Sequence, residues 1–167
     1  MEFLKHCLQK GKDYVTYIDE SLYLEFSTSA WWIDSGVTVY VANSLQGFHT
    51  TQRLEQGDRT VSVTDGKEAD VQAIGDLKLE LDDGFVLHLS NVLYVPSLRR
   101  NLIYVLRLDD ENIHFHFGNK RCIIQCNKKD VGLAIRRDML YLLSHCNVVN
   151  EIDASGPALE RKNSKRK

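Results

Sequence analysis

The feature that most constrains the fold is the run Trp31-Trp32-Ile33-Asp34-Ser35-Gly36-Val37-Thr38. Two Trp and an Ile lead into an Asp-Ser-Gly turn, after which Val37, Val39 and Val41 alternate with Thr38, Tyr40 and Ala42 at a two-residue period. The spacing predicts a strand, a tight turn and a second strand over Val37 to Ala42. A carboxylate at the end of a hydrophobic strand sits at the rim of a core, where burial tunes its protonation and water still reaches it. Asp34 is therefore the candidate acid/base group.

The rest of the chain reads as mostly β. Only two prolines and ten glycines occur, and strand-like runs are cut by Asp-Gly and Gly-Asn pairs. Thr60 to Thr64, the pair Asp65-Gly66 and Lys67 to Ile74 predict a hairpin. Leu77 to Leu81, with Leu77, Leu79 and Leu81 on one face, turns at Asp82-Asp83-Gly84 into Phe85 to Leu89. Asn91 to Val95 reads as a further strand stopped by Pro96. Ser97 then caps a predicted helix whose face carries Leu98, Leu102, Val105 and Leu106. Asn43 to Arg59 is polar and reads as a loop with one short helix. From Ile113 short strands resume: Ile113 to Phe117, Arg121 to Cys126, Val131 to Ile135 and Met139 to Leu143. Before the core run, Tyr14 to Ile18 and Leu22 to Phe26 are two further strand candidates.

A chain of 167 residues with 43% hydrophobic residues suits one small domain with extensions. The division expected is an extension over 1–25, a β-barrel over 26–110, a small β segment over 111–146 and a disordered basic tail over 147–167. The net charge of -2 gives no whole-chain field that would draw nucleic acid or an anionic membrane. Five basic residues stand among the last seven, so nucleic-acid contact or nuclear localisation would have to run through that tail. No apolar run is long enough to span a bilayer and the N-terminus is too polar for a signal peptide, which predicts a cytoplasmic or nuclear protein without membrane contact. The four cysteines show no disulfide framework.

His114, His116, Cys122 and Cys126 are the right inventory for zinc. A two-residue loop at Gly118-Asn119 pairs Phe117 with Lys120 and Phe115 with Cys122, which puts the cysteines and the histidines on opposite faces. A three-residue loop would instead set His116 against Cys122. The sequence favours buried thiols and exposed imidazoles, with no metal and no cofactor; His88 likewise reads as a surface histidine.

Trp31-x-Ile33-Asp34-Ser35-Gly36 resembles the active-site motif of the aspartic protease segment of copia-type LTR retrotransposon Gag-Pol polyproteins. The run from Asn91 through Pro96 to Asn101-Leu102-Ile103 resembles a second motif of the same polyproteins, in the same order. From Phe26 to about Ser144 the likeness covers a retropepsin-like β-barrel with one short helix and then the start of the gag-pre-integrase segment. It implies an all-β fold, in which the Asp65-Gly66 hairpin would be a flap and a short helix beginning near Arg100-Asn101-Leu102 would support the site. It also implies a catalytic Asp34, a Ser35 whose hydroxyl locks two loops together, and a Gly36 that lets backbones approach closely. A zinc knuckle lies upstream in that family, and Cys7 with His6 reads as its lost remnant.

Peptide hydrolysis by this route needs two carboxylates that share a proton. The chain supplies one Asp-Ser-Gly, since Asp65-Gly66 and Asp83-Gly84 lack flanking apolar strands and read as turns. Activity on a peptide or polyprotein therefore implies a homodimer with one Asp34 from each copy. Three positions depart from the family pattern: Val37 replaces a small Ala, Tyr40 a His and Tyr104 a Ser. The alternative is accordingly an inactive β-barrel remnant of a truncated polyprotein, acting at most as an interaction module.

Overall fold

The computed structural model describes residues 14–15, 27–63 and 67–150. The remaining candidate strand residues near the N-terminus, the Cys7-His6 pair, the Asp65-Gly66 turn and the basic end of the tail lie outside the described residues. The described chain is all-β with one short helix. In order it runs β1 (Tyr14–Val15), β2 (Trp31–Asp34), β3 (Val41–Ala42), β4 (Phe48–Arg53), β5 (Thr60–Val63), β6 (Glu68–Asp70), β7 (Ala73–Leu81) and β8 (Val86–Tyr94). There follow β9 (Asn101–Tyr104), α1 (Val105–Asp110), β10 (Ile113–Gly118), β11 (Arg121–Cys126), β12 (Lys129–Arg137), β13 (Leu140–Leu143) and β14 (Cys146–Val148).

Leu77, Leu79 and Leu81 of β7 are buried, as the alternation predicts, and pair antiparallel with β8. Eleven strands form one sheet in the order β10-β11-β12-β13-β2-β9-β3-β8-β7-β14, with β4 also on β7. The sheet rolls on itself: Gly132 of β12 lies against the Leu81 side chain of β7, so that a Cβ added there would stand 2.8 Å from Leu81 Cδ1. Inside the roll Leu77, Leu79, Leu87 and Leu89 meet Ile33, Ile103, Cys122 and Ile124. On the other face Trp32, Val37, Val41, Leu102 and Leu140 meet Val61, Val63 and Val71, from and beside the β5–β6 hairpin of a smaller β1-β5-β6 sheet.

β2 lies between these two cores. Trp31 and Ile33 face one and Trp32 the other, which is why all four residues of the strand are buried and why no polar alternation marks it. β9 pairs parallel with β2 and antiparallel with β3, so it enters between two strands that precede it in the chain.

Several elements differ from the sequence reading. Asn101 to Tyr104 is a strand, and the helix begins only at Val105; Leu102 and Ile103 are buried on opposite faces, a two-sided burial whose spacing mimics a helical stripe. Phe48–Arg53 is a strand within the expected loop, hidden because its outer residues are polar and exposed. Phe85 to Leu89 and Asn91 to Val95 merge into one strand, broken only by a register shift opposite Asn91, whose φ is 59°. The β10–β11 loop is Asn119-Lys120, both at positive φ, so Phe117 pairs with Cys122 and Phe115 with Ile124. The shift of two residues leaves the faces as expected: Cys122 lies with the phenylalanines, and His114 and His116 lie opposite. The strand expected over Val37 to Ala42 is regular only at Val41–Ala42.

Candidate functional site

Asp34 is the last residue of β2 and is 4% exposed, whereas Ser35 behind it is exposed. The carboxylate folds back so that its Oδ1 accepts the Gly36 N–H at 2.7 Å, a short side-chain turn that fixes the loop. Its Oδ2 is buried with no hydrogen-bond partner. The sequence placed this group at a wet rim; the backbone turn does lie at the rim, but the side chain is tucked inward.

Burial pushes the Asp34 pKa up, opposed by the Gly36 N–H and by the nearby charge of Arg100. Arg100 lies with its Cζ 4.5 Å from the centroid of the Trp32 ring. Burial pushes the guanidinium down, against Asp138 and Asp34, which both favour its charged form. Trp32, Asp34, Arg100 and Asp138 thus form one cluster, assembled from β2, the approach to β9 and the β12–β13 turn.

The strand register explains the assembly. Asp34 pairs with Tyr104 on one side, and on the other Tyr141 pairs with Ile33 and Leu142 with Trp32. β13 thus runs beside β2 up to the residue before Asp34. Asp138, at φ 53° in the β12–β13 turn, favours the charged form of Arg100 as Asp34 does.

Asn101 anchors the cluster from below. It is 4% exposed, accepts the Asn43 N–H at 2.9 Å and donates to the carbonyls of Thr28 and Ala30 at 3.2 and 3.1 Å, tying together the approach to β2, the exit of β3 and the start of β9. Sequence reasoning marked Asn101 as part of a motif without this role. Arg100 and Asp138 carried no signal of their own, because the strands that bring them to Asp34 are distant in sequence.

Two departures from the motif touch each other: the rings of Tyr40 and Tyr104 stand edge to face, 6.4 Å apart. Tyr40 is buried, its hydroxyl has no partner, and burial raises its pKa above the usual phenol value. The third, Val37, is fully buried in the outer cluster beside the β5–β6 hairpin. That hairpin covers the sheet face carrying Trp32 and Val37.

Among the described residues no group of three or more His, Cys, Asp or Glu is arranged to hold a metal ion, and no helix is long and apolar enough to cross a membrane. Burial pushes the Cys122 thiol up to about 12 and that of Cys146 up to about 11. Neither is a ready nucleophile.

Residues 31–113 match the family model described as Pol polyprotein, beta-barrel domain. The chain is 33% identical over 87 residues to the retrovirus-related Pol polyprotein from transposon RE1 of Arabidopsis thaliana, covering 52% of this chain and 6% of that one. It is 25% identical over 138 residues to the corresponding polyprotein from transposon TNT 1-94 of Nicotiana tabacum, covering 80% and 10%. Against that from transposon RE2 of Arabidopsis thaliana it is 31% identical over 87 residues, covering 52% and 6%. The chain thus spans a tenth or less of the length of these relatives. No solved structure matches it.

Proposed function

The chain belongs to the copia-type retrotransposon Pol polyproteins, with residues 31–113 in their β-barrel domain, and from that premise we propose that it is an aspartic endopeptidase unit acting through a pair of Asp34 carboxylates in a homodimer. The observation that carries this reading is the state of Asp34. One oxygen is held by the Gly36 N–H, the other is buried without a partner, and burial favours the protonated form. A second carboxyl brought to that oxygen would share a proton with it, because two like charges so close do not both ionise.

In the reaction, the ionised member of the pair takes a proton from a water as its oxygen attacks the scissile carbonyl, while the protonated member gives its proton to the carbonyl oxygen. Collapse of the tetrahedral intermediate returns the proton from that oxygen and breaks the C–N bond. The amine leaves with the proton the base had taken. Ser35 is exposed beside the turn, and in the dimer proposed its hydroxyl would meet its counterpart in the second copy. The substrate proposed is a peptide segment of the surrounding polyprotein, and the chemistry needs no metal or cofactor.

A second reading, a β-barrel module without catalysis, is favoured by two specific observations. In the single chain Asp34 is 4% exposed, and a touching Tyr40–Tyr104 pair stands where the family pattern has His and Ser. The two readings part on one experiment. Purified chain is incubated with a diverse peptide pool at mildly acidic pH, beside D34N and with a statine-type inhibitor. Cleavage abolished by both controls is expected; a folded, self-associated chain that cuts nothing would leave the second reading.

A further inference from the structure

Strands β10 to β12 gather a charge that the chain as a whole does not have. Between Ile113 and Arg137 six Lys or Arg stand against the single acid Asp130, in a chain whose net charge is -2. Lys120, Arg121, Arg136 and Arg137 meet at one end of these strands: Arg121 pairs with Ile135, and the Arg136 N–H donates to the Lys120 carbonyl at 2.8 Å. In the linear chain they are two separate pairs, and only the strand register makes them one patch. All four are exposed, and among the described residues none of them takes part in an ion pair. Two aromatic rings belong to the same end. Arg136 stands opposite Tyr141 in the β12–β13 register, and the Tyr141 ring meets the Phe117 ring edge to face at 4.9 Å. Phe117 is 51% exposed.

We propose that this end of β10 to β12 binds single-stranded nucleic acid, with Lys120, Arg121, Arg136 and Arg137 on the phosphates and Phe117 as a platform for one unpaired base. Four cations held together without carboxylates paired to them repel one another. A phosphodiester backbone relieves that repulsion and releases its own condensed counterions as it binds. Phe117 pairs with Cys122, and Cys122 with Ala134 two residues before Arg136, so the ring shares a face with Arg136 and Tyr141. Arg121 and Arg137 lie on the opposite face, which brackets the ring with positive charge on both sides of the sheet. A half-exposed ring among cations offers a base its stacking surface, which an acidic peptide does not need. A single strand fits better than a duplex, because paired and stacked bases do not reach the ring. These residues lie beyond the matched stretch 31–113 and include neither Asp34 nor the basic tail, so the surface stands apart from the protease reading.

The test is fluorescence anisotropy of labelled oligouridylate, titrated at several salt concentrations with the full chain, with R121A/R136A, with F117L, and with a chain whose basic residues in 161–167 are replaced by Ser. The parent should bind, and the tail-substituted chain should keep a slope of log affinity against log salt of about -3, the value for four phosphates of a single strand. R121A/R136A should weaken binding about tenfold or more and make that slope shallower by about 1.4. F117L keeps apolar bulk against Tyr141 but offers no ring; it should weaken binding about tenfold and leave the slope unchanged. Oligothymidylate should bind comparably, since phosphates and a base face involve no 2′-hydroxyl, and a duplex of equal length should bind more weakly. A parent that does not bind, binding that R121A/R136A leaves intact, or binding that the tail substitutions abolish would overturn the proposal. Polyglutamate that displaces the oligonucleotide as well as unlabelled oligouridylate does, with F117L binding like the parent, would also overturn it and assign the patch to an acidic polypeptide.

Discussion

At Asp34 the polypeptide holds an ionisable group where its charge is costly. Folding raises the pKa from the ordinary 3.8, so the stability tied to this group is full below that value and is lost as pH rises through the folded value. D34N removes the charge while keeping an oxygen for the Gly36 N–H. In urea titrations at dilutions where the chain is monomeric, D34N should therefore be the more stable at neutral pH, with the gain shrinking as both proteins are taken to acid. Asn101 gives the opposite case, a buried polar side chain with all its partners. N101A removes the acceptor of the Asn43 N–H and the donor to the Ala30 carbonyl, while the Thr28 carbonyl keeps the Asn43 side-chain amide, and a loss of about 2 to 3 kcal/mol in the unfolding free energy is expected. At this scale Asp34 was legible, because an Asp-Ser-Gly after an apolar run points to itself. Arg100 on the Trp32 ring was not, since no local pattern says which strands will be neighbours.

Strands buried on one face announced themselves, and the others did not. Leu77, Leu79 and Leu81 show the two-residue period because Lys78 and Glu80 face outward. β9 carries no such period: it fills the gap between β2 and β3, and Leu102 and Ile103 are buried on opposite sides. β4 escaped for the reverse reason, having almost no apolar side to read. Its place is nevertheless fixed sterically on β7, where a Cβ added to Gly75 would run into the Thr50 carbonyl oxygen and approach Phe48 Cδ1 to 2.7 Å. G75A should force the β4–β7 pair apart at a cost of about 3 kcal/mol, seen as a lower urea midpoint and as faster amide exchange along Phe48–Arg53. The substitution D76A, which removes the exposed Thr50 hydroxyl contact and the acceptor of the Asn91 N–H but forces no backbone apart, should cost less.

Across the whole molecule, the sheet does not stop where the matched barrel stretch ends. β13 pairs with the free edge of β2, and Leu140 joins Trp32 and Val37 in the outer core, so strands from the last third of the described chain build one wall of the Asp34 site. The all-β class and the family were legible because two motifs stand in the right order. The closure of the roll by β10–β13 was not, because it depends on pairings between segments at opposite ends of the chain. The single sheet carries one Asp-Ser-Gly, and the peptide hydrolysis proposed for it needs two carboxylates. The direct measurement is peptide cleavage by a fixed amount of wild-type chain as D34N chain is titrated in. If each active site takes one Asp34 from each of two copies, D34N draws wild-type chains into dead heterodimers and the rate falls steadily as the mutant comes into excess. A rate that stays constant through that titration would mean that one chain holds a complete site, and would contradict the shared Asp34 pair.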